Sequence, residues 1–344
     1  MRQSSTLRLM RQALTCTLLA AMPLPAQAQS TGTSFDAYLQ TVGARARREG
    51  VSPATIARVL TGLTPNQRVI QLDSSQPASR GTGWPPTAPY IATHVDTARI
   101  ARGRERYARA GSLLPGIERR YGVPGAVVMA IWGHETNYGS YTGDFDLARS
   151  LATLAWDGRR RALFEGELIA LLKMVDRGVP TYRLKGSWAG AFGNPQFLPS
   201  VYLRLATDGD GDGDADIWTS DADTLASIAN YFRDSGWRPG QPWGVRATVS
   251  SSFTPSSVST KLAAPTCDRV HARHARWMTI AEWRQAGVAP LSPLSDQVLA
   301  TLFQPDGPGT PAYLLTGNYR VILQYNCSNY YALSVGLLAD EIAR

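Results

Sequence analysis

Ala130-Ile131-Trp132-Gly133-His134-Glu135-Thr136-Asn137-Tyr138-Gly139 is the closing end of an apolar helix. That helix opens at Pro124, a residue suited to a first turn because its missing N–H would have no partner there. Glu135 follows Ile131 by four residues and Trp132 by three, so its carboxylate shares their face. It also lies in the last turn before Gly139. The negative helix end and the apolar neighbours both disfavour an ionised carboxylate there. A glutamate held protonated near neutral pH is what a general acid requires. A helix-end glutamate in an ordinary salt bridge has the same spacing, so both readings stand at this point. His134 points about 100° away around the helix and is expected to pack rather than act as a base.

Around this helix the pattern is mostly helical. Residues 35–60 carry Phe35, Tyr38, Leu39, Val42, Ile56, Val59 and Leu60 at helical spacing, restarted by Ser52-Pro53. Residues 73–89, rich in Ser, Pro and Gly, read as an extended excursion. Helices are expected over 93–109, 113–121, 163–175, 223–235 (ended by Gly236) and 328–344. Residues 243–319 change to short β-branched runs between Thr, Ser and Pro loops, with 248–260 the expected surface linker. The predicted fold class is α+β, mainly α-helical, with a smaller mixed segment at about 243–320 before the C-terminal helix.

Two further constellations carry chemistry. Gly186-Ser187-Trp188-Ala189-Gly190-Ala191-Phe192-Gly193-Asn194-Pro195-Gln196-Phe197-Leu198-Pro199-Ser200 combines small residues, which permit close backbone approach, with hydroxyl, amide and aromatic groups. An unbranched sugar chain needs that mixture, although a tight structural loop would look similar. Asp208-Gly209-Asp210-Gly211-Asp212-Gly213-Asp214-Ala215-Asp216 places carboxylates at alternate positions with glycines for the turn, as a calcium loop does. The twelfth position is Thr219 rather than a bidentate glutamate, so Asp221 or Asp223 must close the coordination. His271 and His274 lack a third ligand and are expected to be structural.

The chain has 344 residues, 44% hydrophobic and 18% charged. No run approaches the roughly 18 apolar residues of a membrane span, and the apolar content is too high for a mainly disordered chain. Four histidines and three cysteines argue against a zinc enzyme or a disulfide-dense scaffold. Arg2, Arg8 and Arg11, the apolar residues 13–22 and Ala26-Gln27-Ala28 form a cleavable export signal over residues 1–28. Cys16 lacks a convincing lipobox, so lipid attachment is not expected. A chain starting near residue 29 carries 32 basic and 27 acidic residues, and seven of the latter are the aspartates between 208 and 223. The rest is strongly basic, which suits an anionic partner in the cell envelope. Cys267 and Cys327 remain as an even pair, either bridged or as two buried thiols.

Together these residues resemble the family B lytic murein transglycosylases, glycoside hydrolase family 103, over nearly the whole chain from Phe35. The resemblance rests on Val123-Pro124, Trp132-Gly133-x-Glu135-Thr136-x-x-Gly139 and Gly186-Ser187-x-Ala189-Gly190-Ala191-x-Gly193-x-x-Gln196-Phe197-x-Pro199-Ser200-x-Tyr202. It continues with the aspartate loop and Asp216-Ile217-Trp218, then Ala229-Asn230-Tyr231-Phe232 and Tyr325-Asn326-x-Ser328-Asn329-x-Tyr331. It implies a lysozyme-like fold, a periplasmic location, and cleavage of the β-1,4 bond between N-acetylmuramic acid and N-acetylglucosamine with formation of 1,6-anhydromuramyl ends. By the same resemblance Glu135 is the single acid and base. Ser187, Gln196, Tyr231, Tyr325, Asn326 and Tyr331 line the saccharide groove, and Asp208, Asp210, Asp212, Asp216 and Asp223 hold Ca2+. The implied partners are peptidoglycan strands, with wall-synthesis machinery and without nucleic acid.

Two rivals compete with this reading. A hydrolytic muramidase of the same fold would need a second carboxylate, for which Asp144, Asp146, Glu165 and Glu167 are the candidates. A non-catalytic, calcium-stabilised peptidoglycan-binding module would leave the Glu135 and Ser187/Gln196 segments unexplained.

Overall fold

The computed structural model describes residues 32–76, 85–255 and 267–344. The expected export signal lies outside these residues, as do residues 77–84 of the 73–89 excursion and the later part of the 248–260 linker. Among the described residues no helix is long and apolar enough to cross a membrane.

Local signals set the first helices. Ser34 caps α1 (Phe35–Arg48) by accepting the Ala37 N–H, and Ser52 with Pro53 starts α2 (Pro53–Leu60). Asn66 caps α3 (Gln67–Ser74). α4 (Thr87–His94) and α5 (Thr97–Arg109) replace the single helix expected over 93–109, because Asp96 caps a new helix after Val95 breaks the first. α6 (Leu114–Tyr121) ends at left-handed Gly122, and α7 (Gly125–Thr136) follows.

α7 is buried on all sides from Gly125 to Gly133, as expected of a helix apolar all round. It ends two residues earlier than the sequence suggested. Asn137 and Tyr138 turn left-handed, with φ of 51° and 59°, and fold the Tyr138 ring back onto the helix. A Cβ on Gly133 would sit 2.6 Å from Tyr138 Cζ, so only glycine admits this corner.

Next come β1 (Phe145–Asp146), α8 (Leu147–Asp157), α9 (Arg161–Asp176) and β2 (Lys185–Gly186), with β1 and β2 paired antiparallel. α8 and α10 (Pro199–Leu205) were not anticipated; α11 (Asp221–Asp234) is capped by Ser220. The mixed region holds β3 (Gly244–Val249), α12 (Asp268–His271), β4 (Met278–Thr279), α13 (Ile280–Gln285), β5 (Val288–Pro290), β6 (Leu299–Phe303) and β7 (Ala312–Leu315). Its five strands form an antiparallel sheet in the order β4-β6-β7-β3-β5. Thr248 and Val249, expected in a linker, complete β3 by pairing with β5. α14 (Gly317–Tyr325) and α15 (Asn329–Ile342) close the chain.

Three apolar clusters hold this together. α7 lies with α11, α14 and α15 in one, while α1, α2, α8 and α9 share a second with the 192–217 segment. The sheet builds the third over Trp283. Strand alternation joins sheet to helices, because successive side chains point to opposite faces. In β7, Ala312 and Leu314 face the sheet's own cluster, whereas Tyr313 and Leu315 enter that of α7. Cys267 and Cys327 form a disulfide, with Cα atoms 5.6 Å apart. It ties the start of α12 to the junction of α14 and α15. His271 and His274 are buried, and His274 Nε2 lies 2.9 Å from Asn329 Oδ1, a structural contact.

Candidate active site

Glu135 sits in the last turn of α7, and the α7 corner is pinned from three directions. Thr136 Oγ1 donates to the Asn194 carbonyl at 3.1 Å and accepts the Gly139 N–H at 3.1 Å. Tyr138 Oη donates to the Arg99 carbonyl at 3.1 Å. From α15, Tyr331 Oη donates to Glu135 Oε1 at 2.5 Å. Burial raises the Glu135 carboxyl from 4.5 to about 7, and the Tyr331 hydrogen bond only partly offsets it. A desolvated carboxyl with one neutral hydroxyl partner is therefore half protonated near neutral pH.

Tyr325 stands beside it, with Tyr231 and Phe197 packed against the Tyr325 ring. Tyr325 Oη donates to the Pro195 carbonyl at 2.6 Å, and Tyr231 Oη donates to the Gln324 carbonyl at 2.8 Å. The Tyr231 and Tyr325 ring centroids are 4.7 Å apart, and Phe197 packs on both. Burial and the charge of Glu135 together push the Tyr325 and Tyr331 hydroxyls well above their ordinary range, so both stay neutral donors.

The 186–200 loop is built mainly by its own bonds. Ser187 Oγ accepts the Ala191 N–H at 3.0 Å, and the Ser187 N–H donates to the Ala191 carbonyl at 2.7 Å. Gln196 has φ of 50° and donates from Nε2 to the Thr142 and Gly193 carbonyls, each at 3.0 Å. Asn326 is exposed where α14 ends. Tyr331, Tyr325 and Tyr231 thus gather around Glu135 and Pro195, whereas Ser187 and Gln196 hold the loop that carries Pro195.

The sequence reading missed Tyr90, whose hydroxyl is pushed up by burial and by the Glu135 charge. It also missed the imidazole and phenol stack beside it. Tyr90 and His94 stack at 3.8 Å, His94 and His134 at 5.8 Å, and His134 meets Tyr331 at 5.4 Å. Burial takes His134 down to about 3, so it is a neutral packing group. No local pattern marks Tyr90, because α4 reaches the site only through tertiary packing.

Each of the four carboxylates considered as a second acid has hydrogen-bond partners of its own. Asp146 caps α8 through the Arg149 N–H, and Asp144 accepts from Tyr141 Oη at 3.3 Å. Glu165 is bonded by Tyr38 and Arg45, and Glu167 by the Ser200 N–H and Oγ. Burial and Tyr331 account for the Glu135 shift, with no charged neighbour contributing.

In the aspartate loop, Asp208, Asp210 and Asp212 each turn one carboxylate oxygen to within 4.8 Å of the others. Gly211 and Gly213 adopt φ of 87° and 93°. Three hard oxygen donors on a tight glycine turn fit calcium. Asp223 is fully buried and accepts the Gly209 and Asp216 N–H groups, both at 2.7 Å. Asp216 accepts from Trp218, Thr219 and Arg183, the last at 2.8 Å. Asp221 faces outward to Arg106 at 3.2 Å. Of the five expected ligands, Asp208, Asp210 and Asp212 converge while Asp216 turns to Arg183, and Asp223 rather than Asp221 is turned to the loop.

Residues 34–340 match the family model described as "Transglycosylase SLT domain". The chain is 34% identical over 226 residues to membrane-bound lytic murein transglycosylase B of Escherichia coli strain K12, a match covering 65% of this chain and 58% of that relative's length. Among solved structures it is similar to SltB3 from Pseudomonas aeruginosa in complex with NAG-anhNAM-pentapeptide. That comparison gives a TM-score of 0.81 and 37% identity over 91% of this chain and 80% of the other. It is also similar to the Escherichia coli lytic transglycosylase SLT35 in complex with calcium, with a TM-score of 0.73 and 26% identity over 94% and 98% of the two chains.

Proposed function

Because the chain belongs to the transglycosylase SLT domain family, we propose that it is a periplasmic lytic transglycosylase acting on peptidoglycan glycan strands. It cleaves the β-1,4 bond between N-acetylmuramic acid and N-acetylglucosamine and leaves 1,6-anhydromuramyl ends. The observation that carries this reading is one carboxyl, Glu135, raised to about 7 by burial and held by Tyr331, with no charged group among the described residues contributing to that shift.

The reaction needs no more than that. Glu135 gives its proton to the glycosidic oxygen as the bond from that oxygen to C1 breaks. The resulting carboxylate takes the proton of the muramyl 6-hydroxyl as that oxygen bonds to C1, which regenerates the acid. The substrate's acetamido carbonyl stabilises the positive charge at C1, so a second enzyme carboxylate is unnecessary. Tyr331 holds the carboxyl in one orientation through both steps. Tyr231, Tyr325 and Asn326 form the groove wall, and Ser187 and Gln196 shape the loop whose Pro195 carbonyl accepts from Tyr325. Asp208, Asp210 and Asp212 would hold calcium, with Asp216 and Asp223 bracing the loop behind them. Bound calcium supplies charge neutralisation to an otherwise self-repelling turn.

Mass spectrometry of fragments released from purified peptidoglycan tests the reaction. Anhydromuramyl ends are expected, and ends heavier by one water would assign a muramidase instead. Two further outcomes follow from the geometry. Tyr331→Phe removes the hydrogen bond that favours the carboxylate, so the alkaline limb of the rate profile should move up by roughly one pH unit. Initial rates between pH 5 and 9 check this, and an unmoved limb contradicts the Tyr331 role. Chelation should lower the melting temperature by several degrees, with recovery on adding calcium, because a ligand bound only by the native state stabilises it. Identical melting curves with and without chelator would remove the metal from the description.

A further inference from the structure

One helical turn beyond the Tyr231/Tyr325 pair lies a cavity of about 280 Å3 between the end of α11, the strand-bearing region and α14, lined by Ser235, Arg238, Trp277, Gly317, Arg320 and Gln324. Ser235 follows Tyr231 by four residues, and Gln324 precedes Tyr325. Gln324 also joins the two places directly, since its carbonyl accepts from Tyr231 Oη and its Nε2 donates to the Ser235 carbonyl at 3.3 Å. The cavity and the groove wall therefore share the same two helices.

Its charge is one-sided. No acidic residue lines it, and among the described residues neither Arg238 nor Arg320 has a carboxylate partner. The Arg238 guanidinium carbon lies 3.7 Å from where a side chain on Gly317 would begin, and Arg320 sits three residues further along the same helix face. Arg320 stacks on the Trp277 ring at 4.9 Å. Its Nε and the Trp277 Nε1 are buried without acceptors, and burial alone pulls the Arg320 guanidinium below its ordinary range. Two neighbouring guanidinium groups, one oriented by an indole face and neither neutralised, make a carboxylate-recognising site.

Resting on the function proposed above, we propose that this cavity is a subsite for a carboxylate of the peptide branch carried by the glycan, with Arg238 and Arg320 as its ligands. The reach agrees. From Tyr325 back to Gly317 the helix rises about 12 Å, and an extended peptide covers that distance in about four residues.

The test uses the full protein carrying Glu135→Gln, so that ligand is bound and not cut. Glycan fragments with intact peptides and fragments stripped of peptide are titrated by calorimetry. Arg238→Gln and Arg320→Gln, each added to Glu135→Gln, should weaken binding of the peptide-bearing fragment about fivefold and leave the stripped fragment unchanged. Amidating the peptide carboxylates should reproduce that loss with the arginines intact. Arg238 is exposed, so its variant keeps the test valid if Arg320→Gln misfolds. Equal affinities for both fragments in all variants, or full affinity for the amidated fragment, would overturn the subsite. Failure of the protein without these substitutions to bind or cleave any glycan would instead overturn the function on which it rests.

Discussion

Glu135→Gln should lower the rate of glycan cleavage by about 10²- to 10⁴-fold, the span a positioned general acid supplies, while glycan binding survives. The amide keeps the carbonyl that Tyr331 donates to at 2.5 Å, so the substitution removes the proton and little else. It should also stabilise the fold, and only above a certain pH. The native carboxyl titrates at about 7 against an ordinary 4.5. Between those values the unfolded chain is ionised while the native state holds its proton, so the native state loses stability as pH climbs through that window. The loss is complete above about 7 and amounts to on the order of 3 kcal/mol. Glutamine does not titrate. The variant should therefore unfold at higher denaturant than the unsubstituted protein at pH 8 and at the same denaturant at pH 4. Substantial turnover by the variant would remove Glu135 from the chemistry. Parallel stability curves across that pH range would show that its carboxyl is not desolvated.

Replacing both Cys267 and Cys327 by serine should cost roughly 4 kcal/mol, the chain-entropy value for a loop of this length, since the bonded pair is separated by 60 residues. Urea denaturation of the oxidised protein and of the double variant measures it. Most of the effect belongs to the unfolded chain, whose ends the bridge confines. The bridge also joins the base of the sheet region to the link between Tyr325 and Tyr331, so the double variant should fray first at that link, detectable as faster amide exchange from residue 324 to 331. Equal urea midpoints, or two alkylatable thiols in the untreated protein, would contradict the bridge.

The helical part of the fold was legible where caps and periodicity are local. Ser52-Pro53 was read as a helix start because it supplies an acceptor and a fixed φ for the first turn, whereas the cap at Ser220 was overlooked and α11 was expected two residues late. α8 and α10 escaped the reading although Asp146 caps α8, left-handed Gly158 ends it and Pro199 opens α10. The limits of α7 were misjudged for a tertiary reason. Tyr138 reads as a helical residue until Gly133 lets its ring fold back against the helix.

The sequence by itself determined that Glu135 ends an apolar helix, that aspartates alternate with glycines from 208 to 214, and that Cys267 and Cys327 form an even pair. Those facts follow from neighbours in the chain, whose relative positions a helix or a tight turn already sets. Only the tertiary structure decided what Glu135 meets. Tyr331 lies 196 residues away, and Tyr90 comes from a helix with no mark of the site upon it. It also decided that Asp216 pairs with Arg183 while Asp223 braces the loop from below. A carboxylate's partners and its dehydration arise from groups distant in sequence that packing brings together, and no local spacing encodes them.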